Sequence, residues 1–302
     1  MLAVVGPTAA GKSALAMQLA ARLPIEIVSC DSLMVYTGMD VGTGKPTAAD
    51  RAAVPHHLLD VVTPAEPFHA ARWAELARAA IDGIAARGRT AVIVGGTGLY
   101  LRALVGGLFE APPPDAAIRA RHREEAAREG VERLHARLAS VDADTAARVL
   151  PRDLLRISRA LEIYEQTGQP ISVLRRQAAP AAGLTAATVV LDPPLEELRP
   201  RIGRRLDAMI DEGLLDETRR LRAAYGPVTR PLQALGYRQM GEFLDGRCSW
   251  DEAVLAAKAA TAAYARRQRT FFKKQPADAW RCPALPDPDA VLAWWRERSA
   301  PA

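Results

Sequence analysis

Hydrophobic residues in the first third of the chain form short runs separated by longer amphipathic stretches. The apolar runs Leu2–Val5, Ile25–Ser29 and Ala91–Val94 have the length and composition of buried strands. Helical spacing of apolar residues occupies about 12–23 and 68–87. Strands that alternate with helices predict a parallel sheet, and functional loops are expected at the carboxyl ends of its strands.

The middle of the chain has a different pattern. A proline-rich break at 111–114 precedes helical periodicity from 115 to about 176. The predicted caps and stops of its helices are Asp115, Asp153, Gly130 and Gly168. A second break at 178–183 leads into one more apolar run, Thr188–Leu191, so the helical block is inserted between two strands of the sheet.

Two long helical patterns, at about 195–223 and 250–272, complete the predicted elements. We therefore expect a core domain made of residues 1–112 and 185–302 and an inserted all-helical domain made of residues 113–184. No internal repeat or low-complexity segment interrupts this organisation.

Composition changes this picture little. The 302 residues are 49% hydrophobic and 25% charged, which is typical of a water-soluble globular protein. No apolar run has the length of a membrane span, and the chain enters its first strand with no room for a signal peptide. The three cysteines lack metal-ligand spacing. We expect a reduced, cytoplasmic protein without a membrane partner.

Charge is distributed unevenly along the chain. The net charge is only +5, yet residues 261–281 alone carry six basic side chains against the single acid Asp278. A second basic feature lies in the helical block, where Arg152, Arg156 and Arg159 fall within about 40° of one another on a helical projection. Either feature is compatible with a polyanion partner or with a solvated helix face.

Other charged residues of the helical block need no role. The apolar face opposite the three arginines comprises Leu154, Ile157, Leu161 and Tyr164. The mixed-charge run 119–137 indicates an exposed helix, and His122 and His135 are interpreted as part of that exposed face.

The most specific motif follows the first strand directly. It has the P-loop pattern G-x-x-x-x-G-K-[ST] and consists of Gly6, Pro7, Thr8, Ala9, Ala10, Gly11, Lys12 and Ser13. In such a loop the backbone N–H groups bind phosphate oxygens, and Lys12 places a positive charge beside those oxygens. The Ser13 hydroxyl is placed to hold Mg²⁺. The predicted fold class is therefore α/β, a P-loop NTPase-like parallel sheet flanked by helices, with an inserted all-helical domain.

The acidic residues distinguish between kinds of P-loop chemistry. P-loop ATPases commonly place an aspartate at a strand end, but the strand that ends at Val94 continues with Gly95, Gly96 and Thr97. The remaining acidic candidates are Asp31 and Asp192. From the residues alone, Asp31 is a metal-shell residue, a general base or a turn aspartate.

Eight motifs occur in an order that identifies a family. They are GPTAAGKS (6–13), DSLMVY (31–36), GMDVGTGKP (38–46), HHLLD (56–60), GGTGLY (95–100), RALEI (159–163), ALGYRQ (234–239) and RRQRTFF (266–272). The set closely resembles the bacterial tRNA isopentenyltransferase family, the tRNA dimethylallyltransferases, over roughly residues 2–274.

The resemblance implies a reaction. Dimethylallyl diphosphate donates its dimethylallyl group to N6 of the adenosine on the 3′ side of the anticodon, in tRNAs that read codons beginning with U. Asp31 would be the general base. Lys12 and Thr8 would hold the diphosphate, Ser13 would hold Mg²⁺, and an arginine of the helix after Asp192, Arg205, would complete the anion clamp.

The resemblance also implies contacts with the tRNA anticodon stem-loop. The implied tRNA-binding residues are Asp31, Ser32, Leu33, Met34, Thr97, Arg119, Leu155, Arg156, Ile157, Ser158 and Arg159. The basic C-terminal helix would contact the stem, and we expect the protein to act as a monomer. The sequence departs from the usual family pattern at Met34, Gly44 and Phe271, where many members have Gln, Ala and Trp.

Three alternatives remain at this point. A P-loop small-molecule kinase shares the loop and the sheet, but it leaves the helical block and the basic segment unexplained. An adenylate isopentenyltransferase, which modifies free AMP, ADP or ATP, needs no surface for tRNA. A non-catalytic RNA-binding NTPase module does not account for Asp31.

Overall fold

A computed structural model describes residues 1–107, 111–177, 184–274 and 278–299. The chain divides into two compact units, Met1–Val105 with Leu184–Ala302 and, between these two segments, Gly106–Gly183. The break predicted at 178–183 lies outside the described residues.

A six-stranded parallel sheet forms the centre of the first unit. Its strands are β1 Leu2–Val5, β2 Ile25–Cys30, β3 His56–His57, β4 Thr90–Gly95, β5 Ala187–Leu191 and β6 Trp280–Cys282. The spatial order is β3-β2-β4-β1-β5-β6, and every neighbouring pair is parallel. The four predicted strands are confirmed, whereas β3 and β6 are too short to produce a periodic signal.

The sheet is buried on both faces because its strands are apolar throughout. In β1, Ala3 and Val5 enter one hydrophobic cluster, whereas Leu2 and Val4 enter a second cluster. This alternation follows from the two-residue period of a strand. β1 lies between β4 and β5, so the loop that follows it opens at the topological switch point, where α/β proteins bind ligands.

Helices cover the sheet of the first unit. They are α1 Lys12–Ala20, α2 Ala48–Ala53, α3 Ala70–Ala86, α4 Gly98–Gly106, α10 Leu195–Asp211, α11 Leu214–Tyr225, α12 Tyr237–Leu244, α13 Trp250–Lys273 and α14 Pro288–Ser299. Within the described ranges, none of the helices is both long and apolar enough to cross a membrane.

Two predictions about the C-terminal half are wrong. The single helix predicted at 195–223 is divided into α10 and α11, because Gly213 adopts a φ of +100° that a right-handed helix cannot contain. The chain also continues beyond 272 into β6 and α14, which pack against the second cluster through Cys282, Val291 and Leu292.

The second unit is helical, as predicted. Its helices are α5 Ala116–Glu129, α6 Val131–Val141, α7 Ala143–Ala146, α8 Leu154–Thr167 and α9 Ile171–Gln177. The aspartate caps and glycine stops are confirmed: Asp115 accepts from Ile118 N, Asp153 accepts from Arg156 N, and α5 and α8 end at glycines with positive φ. A small core of leucine, isoleucine and alanine side chains joins these helices.

Two predicted surface features of this unit are wrong. His122 is only 1% exposed, because its ring lies between the Ser158 hydroxyl and the Glu165 carboxylate, each at 2.9 Å. Arg152 precedes α8, which begins at Leu154, so it does not share the helix face of Arg156 and pairs instead with Glu132.

A buried carboxylate in the first unit organises the loop 40–44. Glu217 of α11 accepts hydrogen bonds from three consecutive backbone amides, those of Asp40 (2.9 Å), Val41 (2.9 Å) and Gly42 (3.0 Å). It also accepts the Tyr237 hydroxyl at 2.6 Å. Burial, followed by the charge of Glu217, raises the pKa of Tyr237, so the tyrosine remains a donor.

We expect Glu217→Ala to lower the free energy of unfolding by about 3 kcal/mol, because three amides and a hydroxyl lose their acceptor in a buried site. Chemical denaturation followed by far-UV circular dichroism measures this change. Glu212→Ala removes an exposed glutamate beside the same helix and should change stability by no more than about 0.5 kcal/mol. Equal free energies of unfolding for the two variants would refute the role of Glu217.

Candidate active site

The P-loop leaves β1 at Val5 and enters α1 at Lys12. Gly6 has a φ of +145°, and a Cβ atom there would lie 2.2 Å from the Leu191 carbonyl oxygen, so only glycine fits. Gly11, at φ +94°, caps α1 without a side chain, and the first turn contains no acid. The N-terminal amides of α1 and their positive partial charge are therefore directed at an anion site.

Lys12 folds back over its own loop. Its Nζ donates to the Pro7 carbonyl oxygen at 2.6 Å. Burial, with a smaller contribution from the positive charge of Arg205, lowers the pKa of Lys12 to about 8, and the charge of Asp31 opposes this shift. An incoming anion would restore the preference for the protonated amine.

Arg205 reaches the same region from α10. Its guanidinium donates to the Thr43 carbonyl oxygen at 3.2 Å. A Cβ atom at Gly44 would lie 2.3 Å from Nη2 of Arg205, so the absence of a side chain at Gly44 makes room for the guanidinium. The loop that Glu217 organises therefore positions this arginine.

Asp31 directly follows β2, where it both forms a turn and lines the cavity. Its Oδ1 accepts from the amides of Leu33 (2.8 Å) and Met34 (3.4 Å), which makes it a turn aspartate. It nevertheless lines the cavity that Lys12 and Arg205 also line, and its charge affects the pKa of both. The turn fixes the carboxylate in place rather than excluding it from chemistry.

The loop after β4 supports the segment after β2. Thr97 Oγ1 accepts from Ser32 N at 3.1 Å, and Thr97 N donates to the Cys30 carbonyl oxygen at 3.1 Å. Burial, with a further contribution from the charge of Asp31, raises the pKa of Tyr264 to about 12.

These residues surround a cavity of about 460 Å³ at the carboxyl edge of the sheet. Its polar lining includes Thr8, Lys12, Ser13, Asp31, Arg205, Tyr264 and Gln268. Its apolar lining includes Leu33, Met34, Leu206, Met209, Leu214 and Leu235. The predicted residues Gly6, Pro7, Ala9, Ala10, Gly11, Ser32 and Thr97 shape the surrounding loops without lining the cavity.

Sequence reasoning missed Tyr264 and Gln268, both of α13. Gln268 is buried and joins the P-loop to the loop after β4, and the guanidinium of Arg267 lies 5.6 Å above the Tyr264 ring. Both residues stand in the basic segment 261–281, where the charge and the motif RRQRTFF assign no role to either of them. Their spacing of four residues, which places them on one helix face, was the available signal.

The predicted residues of the second unit are only partly accessible. Leu155 and Arg156 are exposed, whereas Ile157 and Ser158 are buried, because consecutive residues of a helix point to different sides. Glu162 is fully buried and binds Arg119 through two hydrogen bonds of 2.9 Å and Arg159 through one of 2.6 Å.

Burial alone would raise the pKa of Glu162, but the hydrogen bonds from Arg119 and Arg159 outweigh it and lower the pKa. The two arginines are therefore held in fixed positions by a buried carboxylate. The prediction that Arg159 lies on a free face is wrong, because its guanidinium also donates to the Pro112 carbonyl oxygen at 2.7 Å.

The basic segment 261–281 is also partly engaged within the fold. Arg269 forms an ion pair with Asp192, which removes that aspartate from the candidate metal-shell acids. Arg281 donates to the Phe272 carbonyl oxygen at 2.6 Å. The exposed basic side chains are those of Arg266, Arg267, Lys273 and Lys274, together with Arg281.

The described residues contain no cluster of three or more His, Cys, Asp and Glu side chains that could hold a metal ion. Ser13 is exposed at the start of α1 and lines the cavity. Mg²⁺ is commonly bound by one or two protein oxygens together with substrate phosphates. The Ser13 hydroxyl fits the protein part of such a donor set.

A parallel sheet with a P-loop at its switch point, which leads into the start of α1, defines an α/β protein of the P-loop type. The family model described as IPP transferase matches residues 34–275. The chain belongs to this family, and the resemblance seen in the eight motifs is confirmed.

Curated relatives match nearly the whole chain. A tRNA dimethylallyltransferase of Anaeromyxobacter sp. (strain K) is 49% identical over 283 residues, which cover 94% of this chain and 93% of the relative. A tRNA dimethylallyltransferase of Koribacter versatilis (strain Ellin345) is 41% identical over 281 residues, which cover 93% of this chain and 92% of the relative.

Solved structures have the same fold. The tRNA isopentenylpyrophosphate transferase of Bacillus halodurans is 35% identical, with a TM-score of 0.68 and coverage of 98% of this chain and 94% of that chain. A eukaryotic dimethylallyltransferase acting on tRNA is 25% identical, with a TM-score of 0.79, and the match covers 99% of this chain and 76% of that chain.

We expect the affinity for pyrophosphate to decrease as pH rises through about 8, because Lys12 loses its proton there and the bound anion requires the charged amine. Calorimetric titration from about pH 7 to about pH 9.5 measures this dependence. The Lys12→Met variant binds the same ligand without the amine, so the ratio of the two dissociation constants isolates Lys12. A ratio that does not change with pH would contradict the expectation.

Proposed function

We propose that the protein transfers a dimethylallyl group from dimethylallyl diphosphate to N6 of the adenosine on the 3′ side of the anticodon, in tRNAs that read codons beginning with U. Pyrophosphate is the second product. The observation that carries this proposal is the meeting of Lys12, Arg205 and Asp31 in one cavity at the start of α1. Family membership and the names of the relatives support the substrate classes.

The cationic half of the cavity would bind the diphosphate. Its donors are Lys12, Arg205 and the amides at the start of α1. These groups stabilise an anion strongly because their positions are fixed before the anion binds. The Thr8 hydroxyl would bind a further oxygen. As the C1–O bond breaks, its electron pair moves onto the diphosphate, and these groups stabilise the growing negative charge.

Mg²⁺ fits this half of the site. Ser13 would hold the ion together with the diphosphate. When bound, Mg²⁺ supplies additional neutralisation of the leaving group. The protein contributes the orientation of the diphosphate through Lys12 and the loop amides.

The other half of the cavity would receive the acceptor adenine. The base would leave the anticodon-loop stack and enter beside the segment Asp31–Met34, which Thr97 holds in position. N6 forms the new bond to C1, and its proton passes to Asp31. General-base assistance of this kind typically contributes about 10²–10⁴ in rate.

Contacts with the anticodon stem-loop would come from exposed basic and apolar side chains. In the second unit these are Leu155 and Arg156, with Arg119 and Arg159 held in place by Glu162. In the first unit they are the exposed cations of α13. Phosphate contacts of this kind supply affinity that decreases with salt.

The test is a reaction of purified protein with Mg²⁺, dimethylallyl diphosphate and unmodified tRNA, followed by mass analysis of the digested nucleosides. We expect isopentenyladenosine at the anticodon-adjacent position. Parallel reactions with free AMP and with labelled ATP should give no product. Transfer to AMP alone would indicate an adenylate isopentenyltransferase, and phosphate transfer from ATP would indicate a kinase.

We expect Asp31→Asn to reduce turnover by at least about 10²-fold, because the amide cannot accept the proton from N6. Binding of tRNA, measured by filter retention, should remain within about threefold, since the amide oxygen can still accept from Leu33 N. Turnover close to that of the wild type would rule out Asp31 as the base.

Arg156→Ala and Arg159→Ala should differ in a diagnostic way. Arg156 is exposed, so Arg156→Ala should weaken tRNA binding and leave the unfolding transition unchanged. The salt dependence of the tRNA binding constant should also decrease by the equivalent of about one phosphate contact. Arg159→Ala should also lower the unfolding transition, because buried Glu162 loses one of its partners. Arg133→Ala removes an exposed arginine of α6 as a control. Equal loss of binding in Arg133→Ala and Arg156→Ala would show that only net charge matters.

A further inference from the structure

Gln268 of α13 uses both ends of its side-chain amide on backbone groups of two separate loops. Oε1 accepts from Thr8 N of the P-loop at 2.9 Å. Nε2 donates to the Gly96 carbonyl oxygen of the loop after β4 at 3.0 Å. The side chain is only 7% exposed, so these two bonds replace bonds that water would otherwise make.

The surrounding backbone is shaped to admit this amide. A Cβ atom at Gly96 would lie 2.2 Å from Nε2 of Gln268, so any other residue at this position would displace the side chain. One turn further along α13, Phe271 lies 2.1 Å from the position of a Cβ atom at Gly98. Gly96 and Gly98 therefore allow the side chains of α13 to approach the backbone after β4 directly.

The two loops that Gln268 joins serve the two substrates of the proposed function. The P-loop would hold the diphosphate, whereas Thr97, the residue after Gly96, holds the segment after Asp31 through Ser32 N. The relative position of these loops sets the distance between C1 of the donor and N6 of the acceptor. Small errors in such a distance are costly, and a displacement of about 1 Å can reduce a rate by about 10²-fold.

We propose that Gln268 is a positioning residue for dimethylallyl transfer, which fixes the diphosphate loop and the adenine-side loop at the separation that the reaction requires. This proposal rests on the proposed function. Gln268 touches neither reacting atom and acts through the backbone of Thr8 and Gly96. Its loss should therefore reduce the rate of transfer more than the affinity for either substrate.

Gln268→Met preserves the length of the side chain and removes its donor and acceptor. We expect kcat to fall by about 10- to 100-fold. The KM values for dimethylallyl diphosphate and tRNA, and the dissociation constant of pyrophosphate, should stay within about threefold.

Gln268→Glu provides a rescue that depends on pH. A protonated carboxyl group offers one acceptor to Thr8 N and one donor to the Gly96 carbonyl oxygen, as the amide does, whereas a carboxylate repels that oxygen. The kcat of Gln268→Glu relative to wild type should therefore increase as pH falls. The relative kcat of Gln268→Met should be independent of pH.

Gln239→Met is the matched control. Gln239 is also buried in the first unit, at 1% exposure, and its Oε1 accepts from Gly236 N at 3.0 Å. Gln239→Met therefore makes the same chemical change as Gln268→Met but does not remove a bond to either of the two loops. We expect a lower unfolding temperature for both methionine variants but a reduced kcat only for Gln268→Met.

The outcomes separate this proposal from the proposed function. Product from the wild type, with a wild-type kcat for Gln268→Met, overturns the positioning role alone. An increase in KM at unchanged kcat, or an equal loss of kcat in Gln239→Met, also overturns it. Absence of isopentenyladenosine from the wild-type reaction overturns both proposals.

Discussion

The arrangement of the site depends on a row of polar contacts between α13 and the carboxyl edge of the sheet. Backbone groups at the ends of buried strands need hydrogen-bond partners, and water has little access to them there. Gln268 satisfies groups of the loops after β1 and β4, and Arg269 pairs with Asp192 after β5. The loop after β2 is included through Thr97, so one helix sets the positions of four strand ends.

Local sequence patterns predicted the elements that are marked by a hydrophobic period or by a short motif. The apolar strands, the P-loop and the aspartate caps of the second unit are such elements, since the signal lies within a few residues. The break at Gly213 was missed because the apolar periodicity continues across it and only the positive φ ends the helix. The hydrogen bonds of Gln268 to Thr8, of Glu217 to Val41 and of Glu162 to Arg119 join residues that are tens to hundreds of positions apart, and no local pattern encodes such pairs.

The charge of the chain is a poor guide to its binding surface. Arg159 and Arg269 were counted as available cations, yet each pairs with a carboxylate of the fold, namely Glu162 and Asp192. Glu162 is fully buried and would be strongly destabilising without partners, so Arg159 serves the structure first. Sequence can count charges, but only the fold shows which of them face solvent.

The hydrogen bond between Thr8 and Gln268 also has a consequence for the order of synthesis, because 260 positions separate the two residues. The P-loop is synthesised long before the amide that fixes it. During translation the nascent chain therefore holds a phosphate-binding loop without its bridge to the other half of the site. The bridge forms only when α13 folds back onto the sheet, so a chain that ends before α13 lacks the connection between the two loops.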